Sequence, residues 1–291
     1  MLQLSRRSHQ FSASRPTLIC GIRSRKMSCA ATLKPFTIVG AGRVGLAIAE
    51  IGGSDVVIRR GEPVVGLEAG PILVCTRNDD LEAVVQATPP DRRQDLVFLQ
   101  NGMLQPWLDA HGLGEATQLL VYFAVAKKGD KPVDGVTDVN PEGLTAACGP
   151  HAEAVAERLK AGGLTCKVLH GADFTAAMLD KLVWISAFML LGVAFGENVG
   201  QVESGRKQEL AQLIAELSTG GAAELGIPAP HGCYERLLAY GRSVAHYPTA
   251  VKEFSWRNGW FHAISQRELA AGRPDPFPYH SRLLLQCGLP A

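Results

Sequence analysis

Residues 36–48 read Phe-Thr-Ile-Val-Gly-Ala-Gly-Arg-Val-Gly-Leu-Ala-Ile, a short apolar run that opens onto a glycine-rich turn. Gly40 allows a tight strand-to-helix turn, Gly42 leaves room for a pyrophosphate against bare backbone, and Gly45 lets the helix lie close to the strand. The first turn of such a helix offers unpaired N–H groups and a positive dipole end to phosphates. The stretch therefore predicts the first βα unit of a dinucleotide-binding domain, with the pyrophosphate surrounded by Gly40, Ala41, Gly42, Arg43, Val44 and Gly45.

The residues after the second predicted strand bear on the choice of cofactor. That strand ends on Arg59 and Arg60, about twenty residues beyond the first glycine, where NAD enzymes carry an acidic residue for the ribose 2′-hydroxyl. Guanidinium groups suit a 2′-phosphate instead. Two solvated arginines in a surface turn before Gly61 are the alternative. The pattern favours NADP(H) over NAD(H).

Strand and helix patterns alternate from Phe36 to about Leu169, with the later strands predicted at 119–125 and 143–148. Such alternation predicts an α/β fold with a doubly wound, mostly parallel sheet. From Ala172 the chain becomes helical: residues 172–196 are apolar nearly all round, as in a helix buried by its partners. Further helices are predicted at 206–225, 232–243, 250–270 and 278–287. We therefore predict a Rossmann-type NADP-binding domain at 35–170 and an all-α substrate domain at 172–291.

The first 33 residues differ in composition from the rest of the 291-residue chain. They contain six Arg and Lys residues and many serines, and no acidic residue precedes Glu50. This composition is typical of an organelle transit peptide, which predicts the plastid stroma, or else the mitochondrial matrix, as the location. A basic tail without a targeting role is the alternative. Without the leader, 23 basic residues face 28 acidic ones, a balance that argues against nucleic acid as a partner.

Other partners and cofactors are restricted by the cysteines and by hydropathy. Seven cysteines are scattered without a CxxC pair, so the spacing predicts neither a metal site nor a disulfide framework. The strongest apolar run, 182–195, is too short to span a bilayer, which predicts no membrane segment. The expected ligand is a small molecule bound in the cleft between the two halves.

Over nearly all of residues 35–290 the chain resembles the ketopantoate reductase family, whose second domain is of the 6-phosphogluconate dehydrogenase C-terminal type. The order and spacing of five motifs carry this resemblance, namely the glycine-rich turn at 40–45, Leu99-Gln100-Asn101-Gly102, the stretch 143–149, Asp180-Lys181-Leu182, and Asn258-Gly259. The resemblance implies an NADPH-dependent reductase of a 2-oxo acid, a divergent plant or algal plastid member, with a homodimer formed through the helical half.

The resemblance also implies roles for individual residues. Lys181 corresponds to the catalytic lysine of the family. Glu253, six residues before Gly259, corresponds to a catalytic glutamate that binds substrate. In a different alignment register, Lys252 and Glu253 would match another polar pair of the family. The remaining assignments are Thr76 and Arg77 to the cofactor, Asn101 to cofactor and substrate, and Arg257 and Asn258 to the substrate. Asn101 could also be a simple turn residue. The aromatic and basic segment 247–261 fits either a pocket wall with Arg257 as an anion clamp, or a core and dimer interface.

Lys181 can also be argued from its surroundings. It is the one cation in the apolar run 172–195, so its ammonium group must reach a cleft or pair with a carboxylate such as Asp180 or Asp173. In a cleft, the ammonium group could stabilise and protonate a developing alkoxide.

Two positions depart from the family pattern. Asparagines are common four and eight residues after the family's lysine, whereas this chain has Ile185 and Met189 there. The loss of two amides removes hydrogen bonds that a small polar oxo acid needs, so ketopantoate itself is an unlikely substrate. Two hypotheses follow: an NADPH-dependent reductase of a carbonyl or imine compound, or a catalytically inactive NADP(H)-binding sensor or interaction protein.

Overall fold

A computed structural model describes residues 33–64 and 69–290 of the chain; the predicted transit peptide lies almost entirely outside this part. The described residues form one sheet of seven strands, β1 (Thr37–Val39), β2 (Val56–Ile58), β3 (Ile72–Val74), β4 (Leu96–Phe98), β5 (Thr117–Leu120), β6 (Ala146–Cys148) and β7 (Lys167–Val168). They also form ten α-helices, α1 (Arg43–Gly52), α2 (Leu81–Ala87), α3 (Gln105–Ala110), α4 (Ala152–Ala161), α5 (Gly171–Phe195), α6 (Val199–Gly205), α7 (Lys207–Leu225), α8 (Cys233–Ser243), α9 (Asn258–Ala270) and α10 (Pro278–Gln286).

The sheet has the strand order β2-β1-β3-β4-β5-β6-β7. Strands β1 to β5 are parallel, with Thr37 opposite Val56 on one side and opposite Ile72 on the other. Helices α1 and α4 cover one face through Ile48 and Leu159, while α2 and α3 cover the other through Val85 and Leu108. A parallel sheet covered on both faces and followed by a helical region is the predicted α/β fold class, which is confirmed.

One strand pair departs from the predicted parallel arrangement, because β5 and β6 are antiparallel. The predicted strand 119–125 ends at Leu120, and the predicted strand 143–148 begins only at Ala146. Between them the chain turns back through an isolated antiparallel bridge between Ala124 and Val133. No crossover helix forms in this connection, and a parallel partner needs one, so the chain returns in the opposite direction.

Helix α5 is the centre of the helical half. Its 25 residues include 15 that are buried, and it packs against α6, α7, α8 and α10. By length and composition alone this helix could cross a membrane, but 78% of its most apolar window is buried inside the protein. The apolar character of all its faces is therefore explained by core packing, as the sequence predicts.

Two helices of this half depart from the prediction. The helix predicted at 206–225 is observed as α7, but the sequence analysis missed the short helix α6 before it, whose N-terminus is closed by a capping box between Asn198 and Gln201. The helix predicted from 250 begins only at Asn258. Glu253 has a left-handed backbone with φ of +48°, and the Trp256 carbonyl accepts a hydrogen bond of 2.7 Å from the Met103 N–H. These contacts keep residues 250–257 out of the α-helix, and only Phe254–Trp256 forms a short 3₁₀ helix there.

A buried ion pair joins α4 to the start of the sheet. The Arg158 guanidinium pairs with Asp55, and their side chains are 1% and 0% exposed. Arg158 Nη2 also donates to the Lys34 carbonyl at 2.6 Å, and the guanidinium lies 3.9 Å from the centroid of the Phe36 ring. The second Asp55 oxygen accepts from the Phe36 N–H at 2.8 Å. These hydrogen bonds offset much of the cost of burying the two charges, although Arg158 Nε is buried without a hydrogen-bond partner among the described residues.

Candidate active site

The glycine-rich turn leaves an open helix N-terminus at the sheet edge. Gly40 has φ of +114°, and a Cβ there would lie 2.6 Å from the Cys75 carbonyl oxygen; a Cβ on Gly45 would lie 2.1 Å from the Gly40 oxygen. The fold itself therefore requires these two glycines. Gly42 differs, because a Cβ there would have no atom within 4 Å. It precedes α1, whose first turn has neither a side-chain cap nor an acidic residue. The open space and uncompensated dipole fit a pyrophosphate.

Arg59 and Arg60 follow β2 and are exposed. The Arg59 N–H donates to the Glu62 carboxylate at 2.7 Å, and Arg60 Nη2 lies 3.3 Å from Asp80, with 85% of the Arg60 side chain exposed. Such an exposed pair is weak, so Arg60 can leave Asp80 for a ligand. The sequence analysis did not consider Glu62, whose carboxylate closes the turn after the basic pair.

A cavity of about 500 Å³ lies between the carboxyl ends of the strands and the helical half. Its sheet side includes Thr76 after β3, Asn101 after β4 and Val121 after β5, which is the edge where α/β sheets bind ligands. The described lining residues include none of Asp or Glu type and four cations, namely Arg43, Lys181, Lys252 and Arg257. This excess of positive charge favours an anionic ligand.

Two amides support the sheet side of the cavity. Gln100 is buried, and its Nε2 donates to the carbonyls of Val74 at 2.8 Å and Thr76 at 3.1 Å. Asn78 Nδ2 donates to the Asn101 carbonyl at 3.1 Å. These bonds join the ends of β3 and β4, so they hold Thr76 and Asn101 in place. The sequence analysis missed both supporting residues.

Lys181 lies in α5 with 8% of its surface exposed, and it lines the cavity. Its ammonium group donates to the Val121 carbonyl and lies 4.2 Å from the centroid of the Tyr122 ring. Burial, and next the nearby Arg257 charge, lower the pKa of Lys181 to about 7. The group is therefore poised to exchange a proton near neutral pH.

The alternative pairing of Lys181 with a neighbouring carboxylate is not seen. Among the described residues Lys181 forms no ion pair with Asp173 or Asp180, and Asp180 instead accepts from Arg236 Nε at 3.0 Å. Successive helical residues point about 100° apart, so Asp180 and Lys181 face different elements.

Arg257 and Glu253 form an ion pair beside the cavity, with side chains that are 12% and 22% exposed. Arg257 lines the cavity, whereas Glu253 is not among the described lining residues. Burial lowers the pKa of Arg257, and the Glu253 carboxylate opposes this effect. The structure thus places Glu253 against Arg257 and away from the cavity wall, which does not match its assignment as a catalytic residue.

Two further predicted residues lie outside the cavity lining. Asn258 is 1% exposed, and its Oδ1 lies 2.9 Å from His280 Nε2 inside the helical core. It follows Arg257 in the chain and begins α9, so its side chain points into the core while that of Arg257 meets the cavity. The exposed Arg77 follows Thr76 and is likewise absent from the described lining residues. The placement of Asn258 does not match a direct role in binding the substrate, whereas the exposed Arg77 stays a predicted cofactor contact, like Arg59 and Arg60, which also lie outside that lining.

The helical side of the cavity is aromatic and apolar. Trp184, Ile185 and Met189 line it from α5, and Tyr240 and Tyr247 line it from α8 and the segment after it. Trp184 and Tyr240 were missed by the sequence analysis, although Trp184 follows Lys181 at helical spacing. Of segment 247–261, the first part and Arg257 line the cavity, while Phe261 is in the core.

Comparisons with known proteins find similarity in structure and not in sequence. No protein-family model and no curated protein sequence matches the chain. A ketopantoate reductase of the PanE/ApbA family from Ralstonia eutropha has a similar structure, with a TM-score of 0.63, 17% identity and coverage of 88% of this chain and 99% of that one. A D-mandelate dehydrogenase in complex with NADH has a TM-score of 0.60 and 16% identity, with coverage of 88% of this chain and 98% of that one. The dimeric ketopantoate reductase from Staphylococcus aureus has a TM-score of 0.61 and 15% identity, with coverage of 88% of this chain and 99% of that one. The chain therefore has the fold of ketopantoate reductase structures.

Within residues 33–64 and 69–290, no group of three or more His, Cys, Asp and Glu side chains is placed to hold a metal ion. The site offers a helix N-terminus without a side-chain cap and a buried lysine with a pKa of about 7.

Proposed function

We propose that the protein is an NADPH-dependent oxidoreductase that reduces the carbonyl group of a 2-oxo acid-like compound. One observation carries the proposal: a buried lysine with a lowered pKa shares a cationic cavity with Arg43 and Val44 of the glycine-rich turn. The similar structures support the reaction class, because they include ketopantoate reductases and a D-mandelate dehydrogenase that holds NADH. An imine substrate would use the same groups.

The residues present fit a nicotinamide dinucleotide. Gly42 and the first turn of α1 would hold the pyrophosphate, Arg59 and Arg60 the adenosine 2′-phosphate, and Thr76 and Asn101 would lie beside the nicotinamide end. When bound, the reduced cofactor supplies a hydride. Arg43 is anchored across the cavity mouth, where its Nη1 donates to the Ala126 carbonyl at 3.0 Å.

Lys181 is the proposed proton donor. In the resting site its ammonium group donates to the Val121 carbonyl, and a substrate carbonyl oxygen in the cavity would compete for the remaining N–H groups. As charge develops on that oxygen, the ammonium group stabilises it and then transfers a proton. Arg257 faces the same cavity and would bind the carboxylate of the substrate through a charge-assisted hydrogen bond.

The reductase assignment is tested by oxidation of NADPH with a panel of 2-oxo acids, aldehydes and imines. We expect at least one compound to be turned over at about 1 per second or faster. In Lys181→Met, turnover should be lost while NADPH still binds; the exposed Lys160→Met is the matched control. Unchanged kcat in Lys181→Met would refute the assigned role.

The choice of NADPH is tested by calorimetric titration of both cofactors into the chain lacking residues 1–33. Each charge-assisted contact contributes about 1.5–3 kcal/mol, so loss of two should weaken NADPH binding about a hundredfold or more. We expect this loss in the Arg59→Ala, Arg60→Ala double variant, with NADH binding unchanged. Glu62→Gln is the control for the turn. Equal affinity of the wild type for the two cofactors would contradict the proposal.

The second candidate is an NADP(H)-binding sensor without turnover. It is favoured by Ile185 and Met189, which line the cavity where the family resemblance implies amides. Absence of turnover across the panel, together with tight NADPH binding, would support it.

We also propose a homodimer, supported by the dimeric ketopantoate reductase among the similar structures, and an organelle location, with the plastid stroma preferred to the mitochondrial matrix. The location rests on the acid-free, arginine-rich leader. Sedimentation equilibrium tests the dimer, and the distribution of a fluorescent protein fused to residues 1–33 tests the leader.

A further inference from the structure

The helical side of the cavity forms a continuous apolar wall that begins at Lys181. Trp184, Ile185 and Met189 follow Lys181 by three, four and eight residues, which places all four on one face of α5. Ile185 lies one turn and Met189 two turns beyond the amine. A ligand whose reacting oxygen meets Lys181 therefore has apolar surface beside the rest of its length.

Aromatic contacts make this wall rigid. The Trp184 ring stacks on Phe188 at 5.3 Å and meets Tyr240 edge to face at 4.8 Å, and Tyr240 meets Tyr122 at 4.8 Å. Trp184 and Ile185 are each 6% exposed and Tyr240 is 8% exposed. Trp184 Nε1 is buried and has no hydrogen-bond partner among the described residues, so the part of the ring that is exposed to the cavity is carbon. Close-packed side chains of this kind present a fixed shape to a ligand.

Apart from Lys181 at its start, the α5 wall carries no charge, and the other cations of the described lining are Arg43 in the glycine-rich turn and Lys252 and Arg257 after α8. Arg257 uses Nη2 for Glu253, and no hydrogen bond of its Nη1 occurs among the described residues. Lys252 lines the cavity close by in sequence. The arrangement suits a molecule with an anionic head, a carbonyl group and an apolar body. A hydroxylated body would lose hydrogen bonds to water without replacing them at Ile185 or Met189.

We infer that the substrate is a 2-oxo acid with an aromatic or branched apolar side chain, and that Ile185 and Met189 determine this preference. The inference rests on the proposed function, since it assumes the same cavity and the same carbonyl chemistry. It adds the class of side chain, which the reaction type leaves open.

Binding of inert analogues tests the inference separately from catalysis. Oxamate and N-phenyloxamate carry the carboxylate and carbonyl of a 2-oxo acid, but their amide carbonyl does not accept a hydride. Calorimetry with NADP⁺-saturated protein gives the ratio of their dissociation constants. Burial of a phenyl-sized group should make N-phenyloxamate bind about 10- to 150-fold more tightly than oxamate.

Variants at the two positions should change that ratio. In Ile185→Asn, Met189→Asn we expect the ratio to fall to about threefold or less, because the amides favour water or a polar ligand. Val193→Asn is the matched control, since Val193 lies on the same helix, is 40% exposed and is absent from the described cavity lining. Should the double variant fail to fold, Ile185→Thr replaces part of the apolar side chain by a hydroxyl group, is a smaller change than two asparagines, and should still lower the ratio.

The outcomes separate the two proposals. A preference for N-phenyloxamate that Ile185→Asn, Met189→Asn removes supports the inference, whether or not any 2-oxo acid is turned over. Lack of turnover with this preference intact counts against the proposed reductase activity alone. Equal binding of the two analogues, no binding of either, or a ratio that none of these variants changes overturns the inference.

Discussion

The pKa of Lys181 makes a quantitative prediction about the reaction. A pKa of about 7 means that about half of the amine is protonated at pH 7 and about a tenth at pH 8. If the ammonium form donates the proton, kcat/KM for the carbonyl substrate, which reports the pKa before the substrate binds, should fall about tenfold for each pH unit above 7. A lysine with its ordinary pKa of 10.5 would give a flat profile over this range.

The assay is steady-state oxidation of saturating NADPH between pH 6 and pH 10. Lys181→Met should lower kcat by about 10² to 10⁴, the usual contribution of general acid catalysis, without changing the dissociation constant of NADPH. Lys181→Arg keeps its charge throughout, so its remaining activity should lose the decline above pH 7. Lys160→Met should behave as wild type. A wild-type profile that is flat up to pH 10 would refute the reasoning.

The same lowered pKa predicts a change in stability. Between about pH 7 and pH 10.5 the unfolded chain holds a proton on Lys181 that the folded chain has released. The free energy of unfolding contributed by this group therefore rises with pH across that window. Urea denaturation of wild type and Lys181→Met should show the rise in wild type and a smaller rise in the variant. Parallel pH dependences of the two proteins would contradict the buried, neutral amine.

Three further predictions concern the glycine-rich turn, the buried ion pair and a buried histidine. Gly40→Ala should destabilise the fold by about 1–3 kcal/mol, because Gly40 has a positive φ and lies against the Cys75 carbonyl. Gly42→Ala should leave thermal unfolding unchanged and weaken cofactor binding, because its methyl group enters open space. Equal loss of stability in the two variants would contradict the different roles of these glycines. Arg158→Leu should cost about 3–5 kcal/mol in urea denaturation, because Asp55 would remain buried without its partner; a loss under about 1 kcal/mol would count against the pair. Burial, and next the charge of His262, lower the pKa of His280 from its ordinary 6.5 to about 3. Between these two pH values the unfolded chain binds a proton on His280 that the folded chain does not, so the free energy of unfolding falls as pH drops from 6.5 towards 3. His280→Phe should show a weaker fall, and the same pH dependence in the variant as in wild type would refute the assignment.

Much of the sheet and the central helix could be predicted because their signals are local. The turn at Gly40 and the continuous apolar runs of β3 and β4 specify buried parallel strands, and the apolar circumference of α5 specifies a core helix. Helix α6 also had a local signal, the capping box Asn198 to Gln201, which the sequence analysis overlooked.

Other features depend on contacts between residues distant in the chain. The antiparallel pairing of β6 follows from the path of residues 121–145. This path is set by contacts across the loop and not by a periodic pattern in the sequence. The late start of α9 depends on the hydrogen bond from Met103 to Trp256, two residues far apart in sequence. The pairing of Glu253 with Arg257 and the burial of Asn258 depend on the backbone path of residues 250–258. Sequence spacing does not reveal this path, which is why the sequence analysis assigned Glu253 and Asn258 to the ligand.

Helix α5 carries Lys181, Trp184, Ile185 and Met189 on one rigid frame, while its other faces are occupied by the core. Each residue of an α-helix turns the chain by about 100°, so an insertion or deletion of one residue before Lys181 would rotate the whole cavity-facing set into the core together. A substitution within the set alters a single patch of the wall. Ligand preference in this protein is thus free to diverge by replacement of single side chains, whereas the length of this helix is constrained by the site and the core at once.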